Sequence, residues 1–260
     1  MPHHTHDSRL FLFAHPDDDV FISGALRRSI ESGVPTFAAW LTSGDARGQG
    51  VVRERELDRA MRLLGLPAER RRLLRFPNRG LLPRLSEAVT ATAELMTSLK
   101  AREIFVVAYE GGHIDHDALN FIVAEADKRS GGGRTLYEFP LYNRTGAWWA
   151  LRWRINAFPP GGQPAMNEPM TPELVRLKHA MMRAYVSQRG DMTPFRLCLN
   201  ERRLLRRGEP YRAFSVQRDY ETPPHPGVLN YERDGHARFE EFRQAALAAR
   251  AALDATPKGA

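Results

Sequence analysis

The sequence predicts an open α/β fold, a mostly parallel sheet with helices on both faces. Three observations carry this. Short apolar runs alternate five times with amphipathic helical segments between residues 10 and 139, the connections between them are short, and clusters of histidine and acid directly follow two of the runs. Alternation of this kind builds parallel sheets, and ligands bind in them beyond the carboxyl ends of the strands.

The first run, Leu10-Phe11-Leu12-Phe13, reads as a buried strand and ends in Ala14-His15-Pro16-Asp17-Asp18-Asp19. One imidazole and three carboxylates at a strand end point to a bound cation, because a tight turn and a helix cap account for one acid but not three. Residues 21–32 follow as a helix with Ile22, Ala25, Leu26 and Ile30 at helical spacing, stopped by Gly33. Residues 36–41 form a second buried strand, which leads into a glycine-rich loop ending at Gly50. Residues 51–64 place Leu57, Ala60, Met61 and Leu64 on one helical face, and Gly65 stops that helix. A short strand over 73–76 enters the loop Pro77-Asn78-Arg79-Gly80, and a helix over 85–100 precedes a strand over 104–108. That strand ends in the second polar cluster, Gly111-Gly112-His113-Ile114-Asp115-His116-Asp117. A helix over 115–128, the break at Gly131-Gly132-Gly133 and a strand over 136–139 complete the alternation. An open sheet would bring His15, Asp17 and Asp18 to the same rim as His113 and His116, as a shared metal requires.

The paired motifs Ala14-His15-Pro16-Asp17-Asp18-Asp19 and Gly112-His113-Ile114-Asp115-His116 resemble those of the PIG-L/LmbE family of zinc-dependent N-acetylglucosaminyl deacetylases. Such enzymes remove acetyl groups from N-acetylglucosamine conjugates and related amino sugars, and a few members cleave other amides. The resemblance implies a Rossmann-like (LmbE-like) deacetylase domain over residues 9–215, with 216–260 as a C-terminal extension ending in a helix. It implies that His15, Asp18 and His116 bind Zn²⁺, with Fe²⁺ as the alternative, leaving a position open for water. Asp17 would be the general base, His113 would stabilise the oxyanion or protonate the leaving amine, and Asp115 would orient an imidazole. Asp19 replaces the family's common Glu, and capping of the next helix is its expected role. Arg53 and Glu56 match an Arg-x-x-Glu helix whose Arg contacts substrate; a surface salt bridge is the competing role for Arg53. Asn78 stands closest to an Asp that family members use for sugar hydroxyls, and Arg79 beside it is a candidate for a phosphate or carboxylate of the substrate. Residues 178–188 resemble the family's Lys-x-x-Ala-x-x-x-Tyr/His-x-Ser-Gln segment, with His179 expected as a partnered structural histidine.

The expected activity is therefore hydrolysis of a linear amide by attack of a zinc-bound water. An unactivated acetamide needs a nucleophile at neutral pH, a place for oxyanion charge and a proton for the departing amine, and zinc with histidine and carboxylate neighbours meets these needs. An amidase using the same machinery on another amide is the close alternative. Of other classes, a receiver-like phosphoacceptor has acids after its first strand but no counterpart of the histidine-rich second motif. A catalytically silent nucleic-acid-binding protein would leave the acid/base set without a purpose.

Composition sets the remaining bounds. The chain has 260 residues, 42% hydrophobic and 27% charged, ordinary for a globular protein with one sizeable core. No apolar run approaches the roughly 20 residues of a membrane-spanning helix, and the N-terminus lacks a signal-peptide pattern, so a cytoplasmic location is the default expectation. Cys198 stands alone, and His3, His4 and His6 are left out of the site. The net charge of +7 comes mainly from arginine and attracts nucleic acid, anionic lipid or phosphorylated substrate. No recognisable nucleic-acid motif accompanies it; the expected partner is a small N-acetylated sugar conjugate, with an anionic one open, and no specific nucleic acid. Arg70-Arg71-Arg72 and Arg202-Arg203 to Arg206-Arg207 are expected to be solvated faces. Residues 148–153 alternate aromatic and basic side chains, and core or edge-strand packing is expected of them. Phe239, Phe242, Ala246, Ala249 and Leu253 form a stripe that docks on the domain or on another subunit, which leaves a homo-oligomer open. Substrate identity depends on the loops at 44–50 and 77–82.

Overall fold

The computed structural model describes residues 8–45, 48–146 and 153–255. Strands β1 (Ser8–Phe13), β2 (Thr36–Thr42) and β4 (Ala101–Val107) are apolar along nearly their whole length, so they need cover on both faces. With β3 (Arg71–Phe76), β5 (Thr135–Phe139), β8 (Met166–Glu168) and β9 (Glu209–Ala213) they form a seven-stranded sheet in the order β3-β2-β1-β4-β5-β9-β8. The pairs from β3 to β5 are parallel, and β9 runs antiparallel to both β5 and β8. A hairpin of β6 (Tyr142–Asn143) and β7 (Arg154–Ile155) lies apart from this sheet. Cover comes from α1 (Ser23–Glu31), α2 (Gly50–Leu64), α3 (Leu85–Ser98), α4 (Ile114–Arg129) and α5 (Pro172–Ala184). The shorter α6 (Arg189–Cys198), α7 (Glu201–Arg207) and α8 (Asn230–Arg233) precede the terminal α9 (Phe239–Ala255). The alternation read from the sequence is the observed one. Among the described residues, no helix is long and apolar enough to cross a membrane.

Several boundaries shift by one to three residues, and one differs in kind. A tight 3₁₀ turn over Asp18–Ile22 precedes α1, where a single helix from residue 21 was expected. The first turn of α1 is capped from a distance: the buried Glu209 carboxylate accepts from the N–H groups of Gly24 (2.9 Å) and Ala25 (3.0 Å). Gly24 is needed for that approach, because a Cβ there would lie 2.9 Å from Glu209 Oε2. Lys178, fully buried on α5, balances the charge, with Nζ 2.8 Å from Glu209 Oε1 and a second bond to the Val20 carbonyl. The terminal helix α9 docks on α3 and α4 of its own chain, with Phe242 packed against Tyr109, Phe121 and Tyr220. Of the aromatic–basic stretch at 148–153, only Trp153 falls within the described residues; His3, His4 and His6 lie outside them.

A second buried ionic group ties the C-terminal segment to the sheet. Glu138 on β5 accepts from Arg212 (2.7 Å) and Arg218 (2.8 Å). Burial opposes its ionisation, but Arg218 and Arg212 prevail and hold the carboxyl below its ordinary value of 4.5. A depressed carboxylate contributes stability above the unfolded pKa and loses it as pH falls through the folded one. Glu138→Gln is expected to cost about 3–5 kcal/mol in urea unfolding at pH 7, with the cost shrinking below pH 4.5; a cost independent of pH would show that Glu138 is not ionised in the fold.

Candidate active site

β1 and β4 are neighbours, and the strand order turns back between them, so the segments leaving their carboxyl ends meet at the crevice where open α/β sheets take ligands. Beyond β1, Asp17 adopts φ 109°, ψ −20°, a conformation that costs a non-glycine residue about 1–3 kcal/mol. Its surroundings hold it there. Asp19 Oδ2 accepts from the Asp17 N–H at 3.4 Å, and Arg53 on α2 pairs with the Asp17 carboxylate at 3.2 Å while donating to the Pro16 carbonyl. Gly44, at φ +65°, leaves room for this: a Cβ would lie 2.8 Å from Pro16 Cδ and 3.0 Å from Arg53 Nε. Arg53 is 3% exposed, so the surface salt bridge is excluded as its role.

Asp18 bridges two imidazoles. Its Oδ2 accepts the His15 N–H at 2.8 Å and lies 3.6 Å from His15 Nδ1, while Oδ1 lies 3.3 Å from His116 Nε2. Beyond β4, His113 caps α4, its Nδ1 accepting from the Asp115 N–H at 3.1 Å. That bond leaves the ring proton of neutral His113 on Nε2. The fully buried Asp115 carboxylate meets His15 Nε2 at 3.1 Å and accepts from the N–H groups of Arg79 (2.6 Å) and Leu81 (3.3 Å). The imidazole it orients is thus that of His15, and the same carboxylate anchors the loop after β3.

His15, His113 and His116 present ring nitrogens within 4.8 Å of one another. Three imidazoles with the inward Asp18 carboxylate form a donor set suited to a borderline-soft divalent ion. His116 Nδ1 is buried and finds no partner among the described residues. Electrostatics show the same demand for positive charge. Burial drags the His15 imidazole down, but bonds to Asp115 and Asp18 prevail and raise it to about 10. Burial opposes ionisation of Asp18, yet His116 and then His15 hold it well below the carboxylate range. Asp17 is pushed up to about 6 by burial, against the pull of Arg53. Burial, then His15 and His116, keep His113 well below its ordinary value, hence neutral.

Asp19 does not cap the helix, which corrects its expected role. Its Oδ2 instead accepts from Tyr185 Oη (2.6 Å) and Trp40 Nε1 (3.2 Å) as well as from Asp17, and burial raises its pKa to about 7 despite those bonds. Glu56 accepts from the Ser187 N–H (2.7 Å) and hydroxyl (2.6 Å), so the Arg-x-x-Glu helix and the 178–188 segment are joined. His179 bonds the Leu199 carbonyl at 2.8 Å, a structural role as expected.

His15, Asp17, Asp18, Arg53, His113 and His116 line a cavity of about 570 Å³ together with Asn78 and Arg79, while Asp19, Glu56 and Asp115 support them from outside it. Other walls were not read from the sequence. Tyr142 stacks on Trp153 (5.2 Å) and on Phe195 of α6 (5.5 Å), and the C-terminal segment supplies Tyr231, Asp234 and His236. Arg79 reaches His236 Nε2 at 2.9 Å. No residue pattern announced these contacts between segments far apart in the chain.

An open α/β sheet with a histidine–carboxylate group at its switch point defines the LmbE-like class of folds. Residues 10–126 match the model of the PIG-L family, described as GlcNAc-PI de-N-acetylase. Its structure is similar to that of the conserved protein TT1542 from Thermus thermophilus, with a TM-score of 0.60, 22% identity and coverage of 78% of this chain and 93% of that one. It is also similar to the zinc-inhibited form of teicoplanin deacetylase Orf2, with a TM-score of 0.61, 14% identity and coverage of 80% and 98%. The N,N′-diacetylchitobiose deacetylase of Pyrococcus horikoshii gives a TM-score of 0.59, 17% identity and coverage of 81% and 84%. At these identities the likeness is one of fold. No curated protein sequence matches the chain significantly.

The contact between Asp115 and His15 is open to a direct check. Asp115→Asn is expected to weaken binding of a divalent ion by about 10–100-fold, the usual cost of losing a carboxylate behind a ligating histidine, as read by competition with a chromophoric chelator. Unchanged affinity would separate Asp115 from the metal centre.

Proposed function

We propose that the chain is a metal-dependent N-deacetylase that removes the acetyl group from an N-acetylated amino-sugar conjugate. The observation that carries the reading is the convergence of both motifs on one cavity, with three imidazoles and Asp18 close enough to share an ion. His15, Asp18 and His116 are the ligands this reading assigns, because His113 has its Nδ1 engaged and its proton on Nε2. Zn²⁺ suits that set, with Fe²⁺ the alternative. When bound, the ion supplies a more acidic water and polarises the acetyl carbonyl.

The chain's own residues then divide the proton work. Asp17, more basic than an ordinary aspartate yet largely ionised at neutral pH, accepts the proton of the attacking water, and Arg53 holds its carboxylate in place. The neutral His113 offers its Nε2–H to the carbonyl oxygen as charge develops there. Water adds to the acetyl carbon, the C–N bond breaks, and the proton taken by Asp17 passes to the amine, so acetate and a free amine leave. Asp115 keeps His15 oriented. Arg53, Asn78 and Arg79 face the space where the sugar would lie.

The test is acetate release from a panel of N-acetylglucosamine conjugates. Chelation is expected to abolish it, and Asp17→Ala to lower kcat by about 10²–10⁴-fold with metal content retained. One tightly bound ion but no acetate from any conjugate would move the assignment to another amide; the absence of stoichiometric metal in the purified protein would overturn it.

A further inference from the structure

Beside the catalytic cavity, and sharing Trp153 with it, lies a second cavity of about 640 Å³. Arg154 of β7 and Arg202, Arg203, Arg206 and Arg207 of α7 line it, with no aspartate or glutamate among the lining residues. Elsewhere guanidinium groups are commonly matched: Arg27 to Glu31, Arg28 to Glu168, Arg71 to Asp58, Arg75 to Glu54 and Arg134 to Asp127. Among the described residues, none of the five cavity arginines has a carboxylate partner.

Helix chemistry accounts for part of this cluster only. Arg206 and Arg207 in the last turn of α7 offset the negative end of the helix dipole. Arg202 and Arg203 stand in the first turn, where cations are disfavoured, and Arg154 comes from another element altogether. Backbone carbonyls fix two of the groups: Arg154 Nε donates to Thr145 (3.0 Å), and Arg203 donates to Cys198 (3.3 Å) and Ile155. Burial, then the neighbouring Arg207, pull the Arg203 guanidinium below its ordinary value. A single carboxylate would leave most of that charge unmatched, whereas phosphate oxygens accept from several guanidinium groups at once.

We propose that this cavity binds a phosphate-type group, as monoester, diester or diphosphate, carried by the same N-acetyl sugar whose acetamide enters the catalytic cavity. Trp153, stacked on Tyr142, lines both cavities. The arginine face expected to be merely solvated then becomes a selector for anionic substrates. The assignment of a sugar as carrier rests on the deacetylase reading, but the anion site itself does not.

Inorganic pyrophosphate is titrated calorimetrically into the full chain, metal-loaded and chelated, as wild type, R202Q/R206Q and R154Q. Both variants are expected to weaken binding by about tenfold or more in either metal state, the scale of one charge-assisted hydrogen bond. Binding that disappears on chelation and ignores the arginine changes would place the anion on the metal and overturn the site. Tighter, arginine-dependent binding of a short single-stranded oligonucleotide would replace the small-molecule ligand by nucleic acid. For the source of the phosphate, kcat/KM is compared for N-acetylglucosamine 1-phosphate, UDP-N-acetylglucosamine and vesicle-borne N-acetylglucosaminyl phosphatidylinositol, each relative to neutral diacetylchitobiose. The preferred anionic substrate is expected to lose about tenfold of that ratio in R202Q/R206Q, and it identifies a soluble or lipid carrier. Arginine-dependent pyrophosphate binding without acetate from any sugar would sink the deacetylase reading and leave the anion site standing. Deacetylation indifferent to both phosphate and arginines would sink the selector.

Discussion

The rim of the sheet is governed by one constraint: four carboxylates, Asp17, Asp18, Asp19 and Asp115, lie at the ends of apolar strands, largely out of water. An unpaired buried charge costs several kcal/mol, and each acid meets that cost differently. Asp18 is flanked by two imidazoles, Asp115 takes two backbone N–H groups and His15, and Asp17 takes Arg53. Asp19 stays near neutrality, with its pKa raised to about 7. Adjacent Asp17 and Asp18 are thereby driven in opposite directions, up and down, and such divergence is how one site comes to hold both a fixed anion and a proton acceptor.

That arrangement needs support from behind, and the 178–188 segment gives it. Tyr185 holds Asp19, which holds the backbone of Asp17; Ser187 holds Glu56 on the same helix as Arg53; Lys178 balances Glu209, which caps α1 directly after the motif. The left-handed Asp17 backbone persists because these contacts over-determine it. Removing any one would be felt at the carboxylate that the proposed chemistry uses.

The fold was legible in the sequence because buried parallel strands are written as continuous apolar runs, and Leu10 to Phe13 or Ile104 to Val107 can be little else. The rim was legible because acids and histidines have few structural reasons to follow such runs. What stayed hidden depends on meetings in space. Asp19 was assigned to a helix cap because Trp40 and Tyr185 are 21 and 166 positions away. The walls from Tyr142, Phe195 and Tyr231 to His236 leave no periodic trace. Arg202, Arg206 and Arg207 are exposed, as a charge run on a helix leads one to expect, but that they stand around one cavity with Arg154 depends on a meeting in space that the run does not record.

The motif residues from His15 to His116 all fall within the segment that the family model matches, while Trp153, Phe195, Tyr231 and His236 fall outside it. The cavity is therefore walled by two lengths of chain, the matched segment with its histidines and acids and a later one that is largely aromatic. Arg79 shows how closely the two are stitched: its backbone N–H supports the Asp115 carboxylate behind His15, while its side chain reaches forward to His236 in the C-terminal segment. The main chain of one loop steadies His15 through Asp115, and its side chain lines the cavity. A side-chain change at Arg79 would therefore reshape the cavity while leaving the backbone support of Asp115 and His15 in place, which is how a site can vary on a constant fold.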